Sequence, residues 1–519
     1  MNKRFNTTGT CIPKKHYMVN IENKLKAIEK LVHQGDYFII NRPRQYGKTT
    51  TMYLLTQRLH NEYLVIKTSF EGIGDVIFSS EENFCRDILD IFADSLEFVN
   101  EEKSEELRAL GTNLKSLKEV SRAITKFVKN SDKEVILLID EVDKSSNNQL
   151  FLSFLGMLRN KFLLSQENID ATFKSVILAG VHDIKNLKLK IIGNDEKKMN
   201  SPWNIAIDFN IDMSFNPYEI KTMLEEYCSL NKLDMDTAKL SENLYYYTNG
   251  YPFLVSRLCK IIDEDILKNK IPWELNHIIK AIKLILKENS TLFDDLIKNL
   301  ENNMELNNYV FDIVFNGENK VFNIHNPLIN RGTLYGIFKE EDGIVKISNK
   351  IFEQVIYNYF ISKLENNTSN IKNYNFRDNF INNDGSLDME KILFKYQQFI
   401  KEQYSHKDAK FIEREGRLLF LAFIKPIING VGFDFKEVQI AEEKRLDVVI
   451  TYNNFKYVIE LKVWYGQQYH EKGLIQLADY IDNQDLDKGY LIVYNFNKSK
   501  EYNQEYIKSK DKGIFVIYV

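Results

Sequence analysis

The stretch Tyr37-Phe-Ile-Ile40, followed by Arg42-Pro-Arg-Gln-Tyr-Gly47-Lys48-Thr49-Thr50, decides how the first part of this chain folds. The apolar run is typical of a buried strand, and the pattern after it predicts a helix over about 47–62. In this order of strand, loop and helix, backbone N–H groups at the helix N-terminus bind phosphates. Arg42 stands where such loops usually begin with glycine. Because arginine adopts a positive φ only at a cost, the loop must enter by another path.

The loop and a later strand together predict a site for phosphate and a divalent cation. Lys48 would neutralise phosphate charge, and the Thr49 hydroxyl would reach Mg²⁺. A second apolar strand, Glu134-Val-Ile-Leu-Leu-Ile139, ends in Asp140 and Glu141. Carboxylates at the end of a buried strand are costly without a cation. We therefore expect Asp140 to hold Mg²⁺ and Glu141 to polarise an attacking water.

The pattern of elements predicts the fold class. Apolar strands alternate with helices up to residue 213, which indicates an α/β fold with a buried parallel sheet and helices on both faces. After residue 214 the pattern is helical, and Asn216-Pro217-Tyr-Glu219 is a good helix start because Asn caps and Pro suits the first turn. Short helices, two short strands and a final helix over 290–363 suit a winged helix. The Asn-rich segment 364–386 is predicted to be a linker.

These motifs resemble the AAA-like ATPases of the STAND group, in which a loop of the form Arg-Pro-Arg-x-[Tyr/Phe]-Gly-Lys-[Ser/Thr] is common. Ala179-Gly-Val-His-Asp183 resembles the sensor region of that group, and Thr248-Asn-Gly250-Tyr-Pro252 resembles the Gly-x-Pro motif of its helical lid. Cys11-Ile-Pro13-Lys-Lys-His16-Tyr17 resembles the leading segment that packs against the base. The resemblance implies ATP and Mg²⁺ as cofactors. The nucleotide-binding residues that it implies are Arg44, Gln45, Tyr46, Gly47, Lys48, Thr49, Thr50, Asp140 and Pro252.

A second cluster of charged residues lies near the C-terminus, in Arg445-Leu-Asp447-Val-Val-Ile450 and Tyr457-Val-Ile-Glu460-Leu461-Lys462-Val463-Trp464. Strand periodicity puts Glu460 and Lys462 on one face, and a hairpin turn between the strands would bring Asp447 opposite Glu460. Mg²⁺ held by the two carboxylates would explain their presence in an apolar sheet, with Lys462 orienting the attacking water. Taken alone, the pattern also fits an exposed Glu–Lys pair on an edge strand.

The same cluster is similar to the D…ExK pattern of the PD-(D/E)XK nucleases, and the whole of 387–519 resembles the nuclease domain fused to this kind of ATPase. Glu415, in a preceding helix, matches the extra acidic residue of those nucleases, although Glu413 competes for that assignment. Gln476, in a later helix, matches their distal motif. The resemblance implies Mg²⁺-dependent cleavage of phosphodiester bonds. The catalytic residues that it implies are Asp447, Glu460, Lys462, Gln476 and Glu415, with Asp447 and Glu460 as metal ligands.

Length and composition set outer limits on these interpretations. A chain of 519 residues suggests about three domains. It has 69 basic and 73 acidic residues, and the net charge of −4 excludes a generally basic protein without excluding a local basic groove. The 4 cysteines are widely spaced, which argues against a disulfide scaffold or a cysteine zinc site. Neither a membrane-spanning run nor an apolar leader is visible, so we expect a cytoplasmic location without membrane contact.

The expected function is an ATP-binding and ATP-hydrolysing protein that controls a nuclease acting on nucleic acid, with DNA as the first substrate to consider. AAA-like modules often assemble, so a homo-oligomer is one expectation. The candidate recognition segment 323–331 carries one Arg and no Lys, which favours a protein partner at the winged helix over DNA reading. Two alternatives stay open: a nucleotide switch whose nuclease-like domain only binds, and a plain ATPase regulator. The expected domains are an ATPase core over 1–213, a helical lid over 214–289, a winged helix over 290–363, a linker over 364–386 and a nuclease-like domain over 387–519.

Overall fold

The first apolar strands form a parallel sheet in the computed structural model of the protein. They are β1 (Phe38–Asn41), β2 (Leu64–Ser69), β3 (Val135–Asp140) and β4 (Ser175–Gly180). Within the described residues the sheet order is β1-β4-β3-β2, with every pair parallel. An isolated parallel bridge joins Phe38 to Ile207 beside β1. The structure describes residues 3–144, 148–181, 203–314, 319–367, 380–403, 409–428, 432–435, 447–452, 455–483, 486–496 and 501–519.

Helices cover both faces of this sheet, which confirms the predicted α/β fold. They are α1 (Glu22–Gln34), α2 (Lys48–Leu59), α3 (Glu81–Asp94), α4 (Glu101–Gly111), α5 (Leu117–Lys129) and α6 (Gln149–Gln166). Successive residues of a strand point to opposite faces. Leu137 and Ile139 of β3 accordingly pack with α3, α5 and α6, whereas Ile136 and Leu138 pack with α1 and α2.

Helix α4 was not predicted from the sequence. Its buried residues are Ser104, Leu107 and Gly111, and of these only leucine is a large apolar residue. Gly111 packs closely on α3, because a Cβ there would lie 3.2 Å from the Leu89 Cβ. A helix that is held by small residues has too weak an apolar periodicity to be recognised from sequence.

A run of helices follows the sheet. It contains α7 (Pro217–Asn231), α8 (Thr237–Thr248), α9 (Pro252–Lys260), a π-helical turn (Ile261–Ile266) and α10 (Leu275–Ile285). The predicted start of α7 is confirmed as a capping box, in which Asn216 accepts from the Glu219 N–H and Glu219 accepts from the Asn216 N–H. The π-helical turn follows α9 directly, without an intervening residue.

The segment 290–363 holds short helices and two strands, in the order that the sequence predicts. These elements are α11 (Thr291–Glu301), α12 (Met304–Val314), α13 (Pro327–Leu334), β5 (Phe338–Glu341), β6 (Ile344–Ile347) and α14 (Lys350–Asn367). The chain divides into unit 1 (Met1–Asp294, Asn330–Phe338, Ser348–Ile351) and unit 2 (Asp295–Ile329, Lys339–Ile347, Phe352–Val519). The winged helix and the domain boundaries stay predictions.

Unit 2 contains a mixed sheet flanked by helices. The helices are α15 (Met389–Gln403), α16 (Ala409–Ile428) and α17 (Gln467–Asn483), and the strands are β7 (Gly432–Phe435), β8 (Asp447–Tyr452), β9 (Phe455–Val463), β10 (Lys488–Tyr494), β11 (Gln504–Ser509) and β12 (Lys512–Tyr518). Within the described residues the order is β11-β12-β10-β9-β8-β7. Strands β9, β10 and β12 run parallel, while β7, β8 and β9 form antiparallel pairs.

All four cysteines lie in described residues and are free thiols, in agreement with the sequence analysis. In the part of the chain that the structure describes, no helix combines the length and the apolar character needed to cross a membrane.

A close backbone contact fixes the turn between α8 and α9. Gly250 has a φ of 68°, and a Cβ at this position would lie 1.9 Å from the Phe215 carbonyl oxygen. The Phe215 N–H also donates to the Gly250 carbonyl at 2.8 Å. Only glycine satisfies both the left-handed conformation and the short approach.

We expect Gly250→Ala to lower the free energy of unfolding by about 2–4 kcal/mol, because the new methyl group adds a clash to the backbone strain. Gly72→Ala is the matched control, since Gly72 has a φ of 79° and open space around it. This variant should lose only about 1–2 kcal/mol of unfolding free energy, because it adds backbone strain without a clash. Urea denaturation followed by circular dichroism measures both variants. Equal losses would mean that the contact with Phe215 is unimportant.

Candidate functional sites

The loop over residues 42–50 joins β1 to α2 and takes its turns at two positions. Gln45 has a φ of 56° and Gly47 a φ of 81°. Arg42 is not among the positive-φ residues, so the loop does enter by another path, as predicted. Gly47 immediately precedes α2, and the free N–H groups of the first turn of that helix point toward the loop.

Arg42 ties the loop to the sheet and to the segment after it. Its backbone N–H donates to the Gly180 carbonyl at 3.1 Å. Its guanidinium donates to the carbonyls of Phe209 at 3.2 Å and Ile211 at 2.8 Å, and lies 5.2 Å from the Phe209 ring centre. The residue that replaces the usual first glycine is therefore a structural connector.

Lys48 is folded back onto its own loop. Its ammonium donates to the carbonyls of Arg42 and Pro43, each at 2.9 Å, and the residue is 7% exposed. Burial lowers the pKa of Lys48, although neighbouring carboxylates act in the opposite direction. An anion placed at the loop would supply the charge partner that this buried cation needs.

A hydrogen bond joins the start of α2 to the end of β3. The Thr49 hydroxyl donates to the Asp140 carboxylate at 2.7 Å, and Asp140 is 3% exposed. The second Asp140 oxygen accepts from the Glu141 N–H at 3.0 Å. Glu141 has a φ of 55°, and burial, reinforced by the charge of Asp140, raises its pKa.

A cleft of about 480 Å³ opens over this loop within unit 1. Glu141 of the β3 end lines it, together with Pro252, Phe253 and Ser256 of α9. Its apolar wall is formed by Tyr17, Met18, Val19, Ile21, Met213, Phe215 and Met223. Residues 44–50 of the loop also line the cleft, so the structure brings the predicted loop residues, Glu141 and Pro252 together. Asp140 lies behind Thr49.

The leading segment closes one side of the cleft. The Cys11 N–H donates to the Thr50 hydroxyl at 3.1 Å, which joins the segment to α2. Tyr17 lines the cleft and packs against Phe5 and Tyr227, with ring centres 4.8 and 5.2 Å apart. His16 is buried and accepts from the Ile12 N–H at 2.9 Å, so its ring stabilises the turn within the leading segment.

The helical region contacts the loop from the other side. The Tyr251 hydroxyl donates to the Arg44 carbonyl at 2.5 Å, and its ring meets Tyr46 edge-on with centres 4.8 Å apart. Burial raises the pKa of Tyr46 to about 12. The loop conformation thus depends on residues more than 200 positions away in the chain.

Sequence reasoning missed several residues of this cleft. Glu71 follows β2 and reaches the same edge of the sheet as Glu141. Lys24 of α1 lines the cleft and pairs with Glu219 at 2.6 Å. Because carboxyl ends of parallel strands share an edge, Glu71 could have been found from its position. Of the predicted sensor stretch, His182 and Asp183 lie outside the described residues.

The C-terminal candidate site lies on β9 in unit 2. Asp447 and Glu460 stand opposite each other in the β8–β9 pair, which is the predicted register. Glu460 and Lys462 share a face and form an ion pair of 3.0 Å, with their side chains 2% and 8% exposed. The alternative of an exposed Glu–Lys pair is therefore wrong. The side chains of Asp447 and Glu415 lie outside the described residues.

Helix α17 presents one face to this ion pair. Tyr469, Gly473 and Gln476 are spaced four and three residues apart, which puts them on the same side of the helix. The Lys462 ammonium lies 5.3 Å from the Tyr469 ring centre, and a Cβ at Gly473 would be 2.4 Å from that nitrogen. Sequence analysis singled out Gln476 alone, although its helical spacing to Tyr469 and Gly473 was available.

A metal ion at either site would have individual carboxylates among its ligands. Among the described residues, no group of three or more His, Cys, Asp or Glu side chains is placed to hold a metal ion. At the first site the hard oxygens are those of Thr49 and Asp140. At the second, the described carboxylate is Glu460, with Asp447 opposite it in register.

Comparison with known proteins adds a family match. The profile of the AAA-like domain family matches residues 11–360. That span contains the loop, β1–β4, most residues of the cleft and the helices into α14, and it ends before the sheet β7–β12. No curated protein sequence matches this chain.

Solved structures with a similar arrangement are distant in sequence. The Walker-type ATPase paby2304 of Pyrococcus abyssi is 14% identical, with a TM-score of 0.44 over 68% of this chain and 99% of its own. The RuvB Holliday junction branch migration motor of Thermotoga maritima is 14% identical, with a TM-score of 0.33 over 65% and 95%. The ORC2 protein of Aeropyrum pernix, solved as ADPNP–ADP complexes, is 11% identical, with a TM-score of 0.33 over 68% and 95%.

The position of Arg42 leads to a stability prediction. Arg42→Leu keeps an apolar stem but leaves the carbonyls of Phe209 and Ile211 without their donor, so we expect a loss of about 2–3 kcal/mol in the free energy of unfolding. Arg44→Leu, at an exposed position of the same loop, should change it by less than about 0.5 kcal/mol. Urea denaturation compares the two. If Arg42→Leu is as stable as Arg44→Leu, Arg42 is not a structural connector.

Proposed function

The chain belongs to the AAA-like domain family, and from that premise we propose that it binds ATP with Mg²⁺ in the cleft over residues 42–50 and hydrolyses it. The observation that carries the proposal is the Thr49–Asp140 hydrogen bond of 2.7 Å beside the buried Lys48. It puts a hydroxyl, a carboxylate and an ammonium at one helix N-terminus. This combination suits a nucleotide phosphate with its cation.

The residues of the loop would bind the phosphates. Lys48 would exchange its bonds to the loop carbonyls for bonds to phosphate oxygens, and its lowered pKa would return toward the ordinary value as an anion arrives. The backbone N–H groups of Gly47, Lys48 and Thr49 would contribute hydrogen bonds at the positive end of the α2 dipole. Arg44, Gln45, Tyr46 and Thr50 line the same cleft and are assigned to nucleotide binding with them.

Mg²⁺ fits the donors that the site offers. The Thr49 hydroxyl and the Asp140 carboxylate are hard oxygen ligands, which this ion prefers. They would hold it, and the ion would supply charge stabilisation at the transferring phosphoryl group. Asp140 is nearly fully buried, so a cation next to it would also offset the cost of desolvating its charge.

The base would occupy the apolar part of the cleft. Its apolar lining includes Tyr17, Val19, Ile21, Met213 and Met223. A planar purine is matched by such apolar walls. Pro252, in the first turn of α9, lines the cleft from the helical region and would lie near the nucleotide.

Glu141 would orient and deprotonate the attacking water. As a general base it must be ionised, and its raised pKa moves that ionisation to higher pH.

We expect Glu141→Gln to keep ATP binding and to lower hydrolysis by about 100-fold or more, because a carboxamide cannot accept the proton. Lys48→Ala is the complementary variant and should weaken ATP binding itself by about tenfold or more. Phosphate release and binding of a fluorescent ATP analogue measure the two effects separately. Full binding and hydrolysis in Lys48→Ala would refute the proposed ATP site.

We further propose that unit 2 cleaves phosphodiester bonds of nucleic acid with Mg²⁺, under control of the nucleotide, with DNA as the substrate to test first. The support is the buried Glu460–Lys462 pair with Asp447 opposite Glu460 in register. The Glu460 side chain is 2% exposed and already pairs with Lys462. A metal cation beside it would further offset the cost of burying its charge. The alternative is a nucleotide switch whose C-terminal domain binds nucleic acid or a partner without cleaving.

Each residue of this site would have a separate task. The carboxylates of Glu460 and Asp447 would hold Mg²⁺, which would stabilise phosphate charge and lower the pKa of a bound water. Lys462 would position the attacking water by donating a hydrogen bond. Gln476, on the α17 face that carries Gly473, is assigned to the same site, as is Glu415.

Gly473 provides a test of the lysine's position. A methyl group there would collide with the Lys462 ammonium, so we expect Gly473→Ala to lower DNA cleavage by about tenfold or more, and Lys462→Ala by about 100-fold or more. Gly513→Ala is the matched control, since its nearest neighbour is an ordinary 3.7 Å away. Linear and circular DNA with Mg²⁺, with and without ATP, are the substrates.

The outcomes separate the candidate functions. Cleavage that is lost in Lys462→Ala and retained in Gly513→Ala supports a nuclease, and its dependence on ATP shows whether the nucleotide controls it. Cleavage that survives in Lys462→Ala belongs to another site. DNA binding without cleavage under any nucleotide condition favours the switch, and absence of both favours the plain ATPase regulator.

A further inference from the structure

An exposed aromatic ring lies next to the proposed cleavage site of unit 2. Tyr465 follows β9 three residues after Lys462 and is 65% exposed. Its ring meets the Tyr469 ring edge-on, with centres 5.5 Å apart at 87°. The Lys462 ammonium lies 5.3 Å from that second ring, and Glu460 pairs with Lys462 at 3.0 Å. A continuous chain of contacts thus leads from the buried carboxylate to an exposed ring.

The backbone on both sides of Tyr465 is fixed. The preceding residue, Trp464, donates its N–H to the Tyr494 carbonyl at 2.9 Å, which anchors it to β10. The following residue, Gly466, has a φ of 113° and accepts from the His470 N–H at 3.1 Å, which begins α17. Tyr465 therefore lies in a turn of defined conformation. Its edge-on contact with Tyr469 fixes the orientation of its ring.

We propose that Tyr465 is a stacking platform for one unpaired base of the nucleic acid whose backbone reaches the Glu460–Lys462 pair. This inference rests on the proposed function, and it names the substrate class as single-stranded. Aromatic side chains bind single strands because every base offers a π-face. A paired base has both faces covered by its neighbours, so it must leave the duplex before it can stack on a protein ring.

The chemistry also defines where the base lies relative to the reacting phosphate. The Lys462 ammonium lies 5.3 Å from the Tyr469 ring centre, which lies 5.5 Å from the Tyr465 ring centre. The Tyr465 ring centre is thus within about 11 Å of the ammonium, which is about the span of two nucleotides at up to about 6–7 Å each. The platform is expected to hold a base that flanks the cleaved bond.

The test is equilibrium binding of the full-length protein to fluorescein-labelled oligothymidine and to a duplex of the same length, in EDTA, with and without ATP. Because EDTA removes Mg²⁺, binding is read without cleavage. Tyr465→Ala should weaken oligothymidine binding by about 5- to 150-fold, the range expected for one stacked base. Tyr465→Phe should bind within about twofold of the wild-type protein, since the ring is kept, and duplex binding should be unchanged.

The matched control is Tyr246→Ala. Tyr246 is 57% exposed and meets Tyr247 edge-on with ring centres 5.0 Å apart, so it reproduces the exposed pair at a position on α8. This variant should bind oligothymidine as the wild-type protein does. An equal loss in the two alanine variants, or an equal loss on single strand and duplex, would overturn the platform.

Cleavage assays then distinguish this proposal from the nuclease itself. Mg²⁺-dependent cleavage with unchanged single-strand binding in Tyr465→Ala refutes the platform and leaves the nuclease standing. Tyr465-dependent binding without cleavage by the wild-type protein supports the platform and refutes the nuclease. If the wild-type protein does not bind oligothymidine, the platform is refuted whatever the cleavage result.

Discussion

The hydrogen bond between Thr49 and Asp140 is the interaction on which the architecture of unit 1 depends. It joins the first turn of α2 to the end of β3, a strand buried on both faces. Asp140 is nearly fully buried, and a carboxylate in that position must be satisfied by donors from the protein or by a cation. Here it accepts from the Thr49 hydroxyl and the Glu141 N–H. The same two donors fix the position of this carboxylate beside the loop.

The phosphate-binding loop is shaped as much by distant parts of unit 1 as by its own sequence. The Pro43 ring packs on Gly336 so closely that a Cβ at Gly336 would lie 2.8 Å from it. Gln45 donates to the Thr291 hydroxyl at 3.1 Å, beyond the helices α7–α10. A nucleotide that displaces the Lys48 ammonium from the loop carbonyls would change the surroundings of these contacts. The conformation of the loop is thus tied to residues far along the chain as well as to its own sequence.

Sequence periodicity predicts this fold well where apolar side chains alone determine the structure. Strands β3 and β4 are continuous apolar runs, and their burial on both faces follows from that pattern. The pairing of Asp447 with Glu460 could also be predicted, because the position of the hairpin turn determines which residues of the two strands stand opposite each other. Helix α4 could not, because small residues hold it. The connector role of Arg42 was equally hidden, since its partners are backbone carbonyls 167 and 169 positions away.

The two candidate sites meet one physical constraint in different ways. At each, a lysine is buried close to carboxylates, and a buried ammonium must be paired or lose its proton. Lys48 is satisfied by neutral carbonyls of its own loop, a provisional arrangement that an anion can replace. Lys462 is satisfied by Glu460 on the same strand and by the Tyr469 ring, and Gly473 provides the space for it. The first arrangement suits a ligand that binds and dissociates, whereas the second holds the Lys462 ammonium at a fixed position.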